Sequence, residues 1–130
     1  VLGAMNEETL EIAKKFYIEK LAIPVHVVPT IEIAEMCKIA ENAYRYTQIA
    51  FAEELKMVCD ELGMNFNALR SACNTKWNIE IPEARDGIIG HCLPKDVKCY
   101  ASLTKTSKLA NSALLIDEAY QKLMREKTSK

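Results

Sequence analysis

The sequence predicts a mainly α-helical fold built on one long central helix, with a short αβ segment at the N-terminus. Three observations predict it. Residues 31–62 run for thirty-two positions without Pro or Gly and are closed by Gly63. Within them apolar residues recur at Met36, Ile39, Ala43, Tyr46, Ala50, Leu55, Val58 and Leu62, close to the 3.6-residue period of a helix. The only stretch composed like a strand is the β-branched run between Pro24 and Pro29.

Taken in order, Val1 to Gly3 reads as the end of a preceding element. Asn6 caps a first helix, with Glu7 and Glu8 in its first turn and Leu10, Ala13, Phe16, Tyr17 and Leu21 as its buried stripe. Pro24 ends it, and 24–29 forms a short edge strand in which His26 is structural. The long helix follows, with Thr30 as N-cap, Glu32 in the first turn and Gly63 as a left-handed stop. A continuous helix of that length spans roughly 48 Å, more than a domain of this size needs. It therefore runs through a bundle or lends part of its length to a second subunit. Asn65 or Asn67 caps a short helix through Ala68, Leu69, Ala72 and Cys73, broken at 74–77. Residues 79–90 hold Pro82, Gly87 and Gly90 without sustained period and read as a loop. Pro94 suits the first turn of a helix over 95–103. Thr106 or Ser107 caps the last helix, whose stripe is Leu109, Ala113, Ile116, Tyr120 and Leu123, ending in a basic tail at 127–130.

The composition fits a soluble chain with enough length for a real core: 130 residues, a net charge of −1 and 49% apolar content. Near-neutral charge argues against nucleic acid or an anionic membrane as partner. No apolar run approaches the roughly 20 residues of a membrane span. The five cysteines (37, 59, 73, 92, 99) are odd in number and form no C-x-x-C, so reduced thiols in a cytoplasm are expected. The chain begins with Val1 rather than Met, so processing or excision from a longer protein is expected.

Two places carry the residue types of a reactive site. On the long helix, Lys38 and Asn42 stand one turn apart and present an ammonium and an amide to one point, with Arg45 beside them. The second is Gly87-Ile-Ile-Gly90-His91-Cys92-Leu93-Pro94-Lys95-Asp96. Glycines let backbone approach a ligand closely, and amide dipoles at a helix start favour an anion and activate a thiol. Cys92 is thus the cysteine with activating surroundings, while Cys37, Cys59 and Cys73 read as small hydrophobes on helix faces. His91 and Cys92 lack matching ligands elsewhere, so no metal is expected.

These residues together resemble the nucleotide-sugar 6-dehydrogenases, the UDP-glucose/GDP-mannose dehydrogenase family. The likeness lies in Ala34-Glu35-Met-Cys-Lys38-Ile-Ala-Glu41-Asn42-Ala-Tyr-Arg45, in Glu53-Glu54-Leu55, in Cys59-Asp-Glu-Leu-Gly63 and in Gly90 to Asp96. Lys-x-x-x-Asn and Cys-x-x-x-Asp are both kept, in order and separation, over about residues 31–104. The resemblance implies a helical domain like the C-terminal domain of 6-phosphogluconate dehydrogenase. It implies that 1–30 is the tail of an NAD-binding Rossmann domain, 31–104 the central dimerisation and catalytic domain, and 105–130 a connector helix toward a C-terminal domain. It also implies oxidation of a sugar C6 alcohol to a carboxylate with NAD, through a thioester on Cys92. Lys38, Asn42 and Asp96 would share the catalytic work, Lys95 would contact cofactor, and Gly87, Gly90, His91 and Arg45 would contact the nucleotide sugar. A homodimer through 31–62 and a role in polysaccharide precursor synthesis follow from the same resemblance.

His91 with Leu93-Pro94, and Glu41-Asn42 with Arg45, lean toward the UDP-N-acetylmannosamine branch. Ile89 stands where the family usually has a second glycine. The glycines at 3, 63, 87 and 90 form no Gly-x-Gly-x-x-Gly turn, so the chain alone is expected to be inactive. The competing reading is a stand-alone helical dimerisation module without activity. Within the enzymes, a β-hydroxyacid dehydrogenase also uses a helical Lys-x-x-x-Asn but has no need of a nucleophilic cysteine.

Overall fold

Helix α1 covers Glu7–Lys15, α2 Ile31–Glu61, α3 Phe66–Cys73, α4 Cys92–Leu103 and α5 Lys108–Thr128. They belong to a computed structural model that describes residues 1–128, whose contacts divide into two compact units, Val1–Glu41 and Asn42–Lys130. No helix among the described residues is long and apolar enough to cross a membrane.

In the first unit, Asn6 caps α1 by accepting the Thr9 N–H at 2.8 Å, as its sequence position predicts. α1 then widens into a π-helical turn, Phe16–Lys20, and closes at Ala22, whose φ of 52° is unusual for a residue with a side chain. The expected edge strand is reduced to one parallel bridge between Leu2 and Val27, carried by Leu2 N–H to His26 O and Val28 N–H to Leu2 O. Prolines on both sides of a short run leave no room for a longer ladder. The expected α1 stripe is corrected as well: Phe16, Tyr17 and Leu21 are exposed in this chain.

Helix α2 has 31 residues and matches its expected limits to within one position. Thr30 caps its start through Oγ1 on the Ile33 N–H. Gly63 closes it at φ +66°, with the Met64 N–H reaching back to the Cys59 carbonyl. The buried face differs from the apolar list. Met36, Val58 and Leu62 are exposed, whereas Asn42, Ala52, Glu53 and Cys59 join Ala43, Tyr46 and Ala50 inside.

The second unit is organised around Ala43, Tyr46 and Ala50 of α2, Ile88 of the long loop, Val97 of α4, and Ala110 and Ala113 of α5. Val97 is wholly buried, which contributes about 1.5–3 kcal/mol for a side chain of this kind. Asn65, rather than Asn67, caps α3 through the Ala68 N–H at 2.9 Å, and Phe66 is the side chain that α3 buries. α4 begins three residues earlier than expected, at Cys92 itself, because Pro94 is tolerated anywhere in a first turn where no N–H is required. On α5 the buried stripe is Ala110, Ala113, Asp117 and Tyr120, and Leu109 is 73% exposed rather than buried.

Candidate active site

Asn42 and Asp96 are 54 positions apart in sequence and meet in the interior of the second unit. Asn42 Nδ2 donates to Asp96 Oδ2 at 2.5 Å, and both side chains are buried. Asp96 Oδ1 also pairs with Lys95 Nζ at 3.1 Å. Cys92 opens α4 one turn before Asp96 and is an exposed free thiol. The family likeness gives Asn42 a share in the catalytic work, and its amide is here bonded to the Asp96 carboxylate. A buried carboxylate needs such donors, and an amide one helix away supplies one.

Of the other residues singled out in the sequence, Lys38 lies in the first unit, one turn before Asn42 along α2. Arg45 and His91 are exposed, and His91 occupies the cap position of α4 without a side-chain capping bond. Gly87 and Gly90 take φ values of +102° and +101°, a region that side chains rarely adopt. Ile89 between them is 81% exposed, so its branched side chain points away from the core. A cavity of about 480 Å³ lies against this loop, lined by Arg85, Asp86, Gly87, Ile89 and Leu93 among others. A larger apolar cavity of about 830 Å³, with Phe51, Cys73, Ile79 and Leu109 on its walls, includes none of these site residues.

Behind the glycine loop lies a buried polar cluster that sequence reasoning missed. Tyr46 Oη donates to Asp117 Oδ2 at 2.5 Å, Asp117 Oδ1 accepts the Ile88 N–H at 2.8 Å, and Gln121 Nε2 donates to Asp117. Burial first, and then the bond to Asp117, push the Tyr46 phenol up from its ordinary value. Glu53 is 0% exposed and neither carboxyl oxygen has a hydrogen-bond partner. Burial, helped by the charge of Asp117, pushes its carboxyl up to about 8. The signal for Asp117 was present in the sequence, since 110, 113, 117 and 120 repeat at helical spacing. It was hidden because the eye follows apolar residues and this position is an acid.

Residues 32–121 match the UDP-glucose/GDP-mannose dehydrogenase family, central domain. NDP-N-acetyl-D-galactosaminuronic acid dehydrogenase of Ralstonia nicotianae is 38% identical over 96 residues, 74% of this chain and 22% of that protein. UDP-N-acetyl-D-mannosamine dehydrogenase of Methanocaldococcus jannaschii is 28% identical over 130 residues, all of this chain and 30% of that one. In three dimensions, the UDP-D-ManNAc dehydrogenase of Pyrococcus horikoshii covers 91% of this chain at a TM-score of 0.80 and 29% identity, with 28% of its own length involved. The chain thus spans between a fifth and a third of each of these three proteins. Its residues 32–121, which include α3, α4 and nearly all of α2, show that the chain belongs to the UDP-glucose/GDP-mannose dehydrogenase family, whose central domain they represent.

Proposed function

We propose that this chain is the central, catalytic and dimerising part of an NAD-dependent nucleotide-sugar dehydrogenase that oxidises a C6 alcohol to a carboxylate. In this reading 1–30 is the tail of the dinucleotide-binding domain, 31–104 the central domain and 105–130 the connector to a further domain. The observation that carries it is the buried Asn42–Asp96 bond one helical turn from an exposed cysteine at the start of α4. The relatives' names favour a UDP-N-acetylated hexosamine as substrate.

NAD does not fit a site built from this chain's own residues. The four glycines form no dinucleotide turn, and Lys95, the one proposed contact, is paired with Asp96. In the steps that belong to the chain, the Cys92 thiolate attacks the C6 aldehyde carbon; the S–C bond forms and the carbonyl electron pair moves to oxygen. Lys38 is assigned to that oxyanion from the family pattern. NAD held by the dinucleotide domain would supply the oxidising equivalent, accepting the hydride from that carbon to leave a thioester. Water would then attack the same carbon, Asp96 would take the water proton, and the C–S bond would break to return the thiolate. Asn42 orients Asp96 for that role. Arg45, His91, Gly87 and Gly90 are assigned to sugar and nucleotide contacts, and the paired copy is assigned to 31–62. Five free thiols support a reducing, cytoplasmic setting.

The test is NAD reduction by the protein carrying its dinucleotide domain, with a panel of nucleotide sugars. Cys92→Ala is expected to lower acid formation by roughly 10³-fold or more with the fold intact by circular dichroism. Full turnover by that variant would reject the mechanism. The 130-residue chain alone is expected to reduce no NAD.

A further inference from the structure

The main chain of the loop that leads into Cys92 is held by side chains from α3, its C-cap and α5. At its start, Arg70 Nε and Asn74 Nδ2 donate to the Ile81 carbonyl at 2.8 and 3.0 Å, and Asn74 Oδ1 accepts the Ile81 N–H at 2.8 Å. Four residues on, Tyr120 Oη of α5 donates to the Arg85 carbonyl at 2.7 Å. Then Asp117 takes the Ile88 N–H at 2.8 Å. Between these last two anchors sits Gly87, where an added Cβ would run into the side chain of Gln121. Only Ile89, Gly90 and His91 separate the Ile88 anchor from Cys92.

We propose that Asp117 is a positioning residue for Cys92: its grip on the Ile88 N–H fixes the glycine loop and, through three residues, the place of the thiol at the start of α4. This rests on the reading of Cys92 as the nucleophile. A side chain needed only to fill the α4–α5 core would be apolar, because burying a carboxylate is unfavourable unless its oxygens are used. Here both oxygens are used. One holds a loop N–H, and the other accepts from Tyr46, which is itself fixed on α2. A carboxylate accepting a backbone N–H is among the stronger hydrogen bonds a protein makes, so it suits a position where the chain must not drift.

The experiment uses the 130-residue chain and two readouts: amide hydrogen exchange by NMR, and the rate of Cys92 alkylation by iodoacetamide followed by peptide mass spectrometry. In Asp117→Ala, exchange at Ile88 is expected to quicken about tenfold or more, with Val97 changing less than about twofold. Cys92 alkylation should shift by about threefold or more, as expected for local release of the loop. Asp117→Asn keeps an amide oxygen for the Ile88 N–H and should bring both readouts back to within about twofold of the parent. If Asp117→Ala does not fold, Asp117→Ser, too short to span the gap, is read by the same criteria. Unchanged exchange and alkylation overturn the proposal. So does equal quickening at Val97, which would mark general stability alone, or failure of Asn to restore the loop.

Neither readout needs a nucleotide sugar, so both are independent of the dehydrogenase reading. In the enzyme with its dinucleotide domain, Asp117→Ala should lower kcat about tenfold or more with KM within about threefold, and Asp117→Asn should recover it. No turnover by the parent rejects the dehydrogenase reading and leaves exchange to decide the clamp. An unchanged kcat in Asp117→Ala overturns the clamp's role.

Discussion

Glu53 is a carboxyl group in a place where a charge is unwelcome. It is fully buried and unbonded, and that burial, with the charge of Asp117 adding to it, lets the folded state keep its proton up to about pH 8 while an unfolded chain loses it near 4.5. Well below pH 4.5 both states hold the proton, and ionisation of Glu53 makes no contribution to stability. Between about 4.5 and 8 the unfolded state is increasingly favoured by ionising, so this group makes stability fall as pH rises, with the loss complete above 8. Glu53→Gln removes the ionisation and keeps the shape. Its thermal midpoint should match the parent's at pH 4.5 and exceed it by about 5 °C or more at pH 8.5. A parallel pair of pH profiles would show that Glu53 finds a partner in solution.

At the scale of an element, the closure of α2 is set by backbone geometry. Gly63 has φ +66° and nothing lies within 4 Å of where a Cβ would be, so any cost of Gly63→Ala comes from the left-handed conformation alone. That substitution should destabilise by about 1 kcal/mol, lowering the melting temperature by roughly 3 °C, with α2 and α3 otherwise unchanged. An unaltered melting curve would mean that the turn relaxes to another conformation at no cost. α2's limits, and the caps at Asn6 and Asn65, were legible because they follow from local chemistry: a side-chain oxygen aimed at an N–H, or a residue free to take positive φ. The faces of the helices were less legible. Periodicity names a stripe about a third of the circumference wide, and only packing chooses which edge of it is covered. On α5 the choice fell on Ala110, Ala113 and Asp117 rather than on Leu109, because small residues let α4 pack closely and Asp117 has bonds to make there.

At the scale of the whole molecule, the second unit exposes several large apolar side chains. Tyr44 and Phe51 on α2 are largely solvent-facing, as are Leu109 and Leu115 on α5. The proposed homodimer through 31–62 would cover the α2 members of that set, and light scattering of the chain should then return about twice the 14.7 kDa monomer mass. Phe51→Glu should shift the population to monomer without loss of helicity. A parent chain that is monomeric at high micromolar concentration would reject the dimer for this segment.

The sequence by itself determined the helical class, the span of α2, the caps, the loop at 79–90 and the motif residues from Lys38 to Asp96. These depend on near neighbours and on residue types that chemistry cannot replace. Tertiary structure alone decided that Asn42 bonds Asp96, that Glu53 is buried and keeps its proton, and that Asp117 reaches the Ile88 N–H. Those contacts join positions 29 to 54 residues apart, or depend on what surrounds a side chain once helices pack. A polar residue in a sequence carries no mark of its burial; the partner that makes burial tolerable is chosen only when the chain is folded.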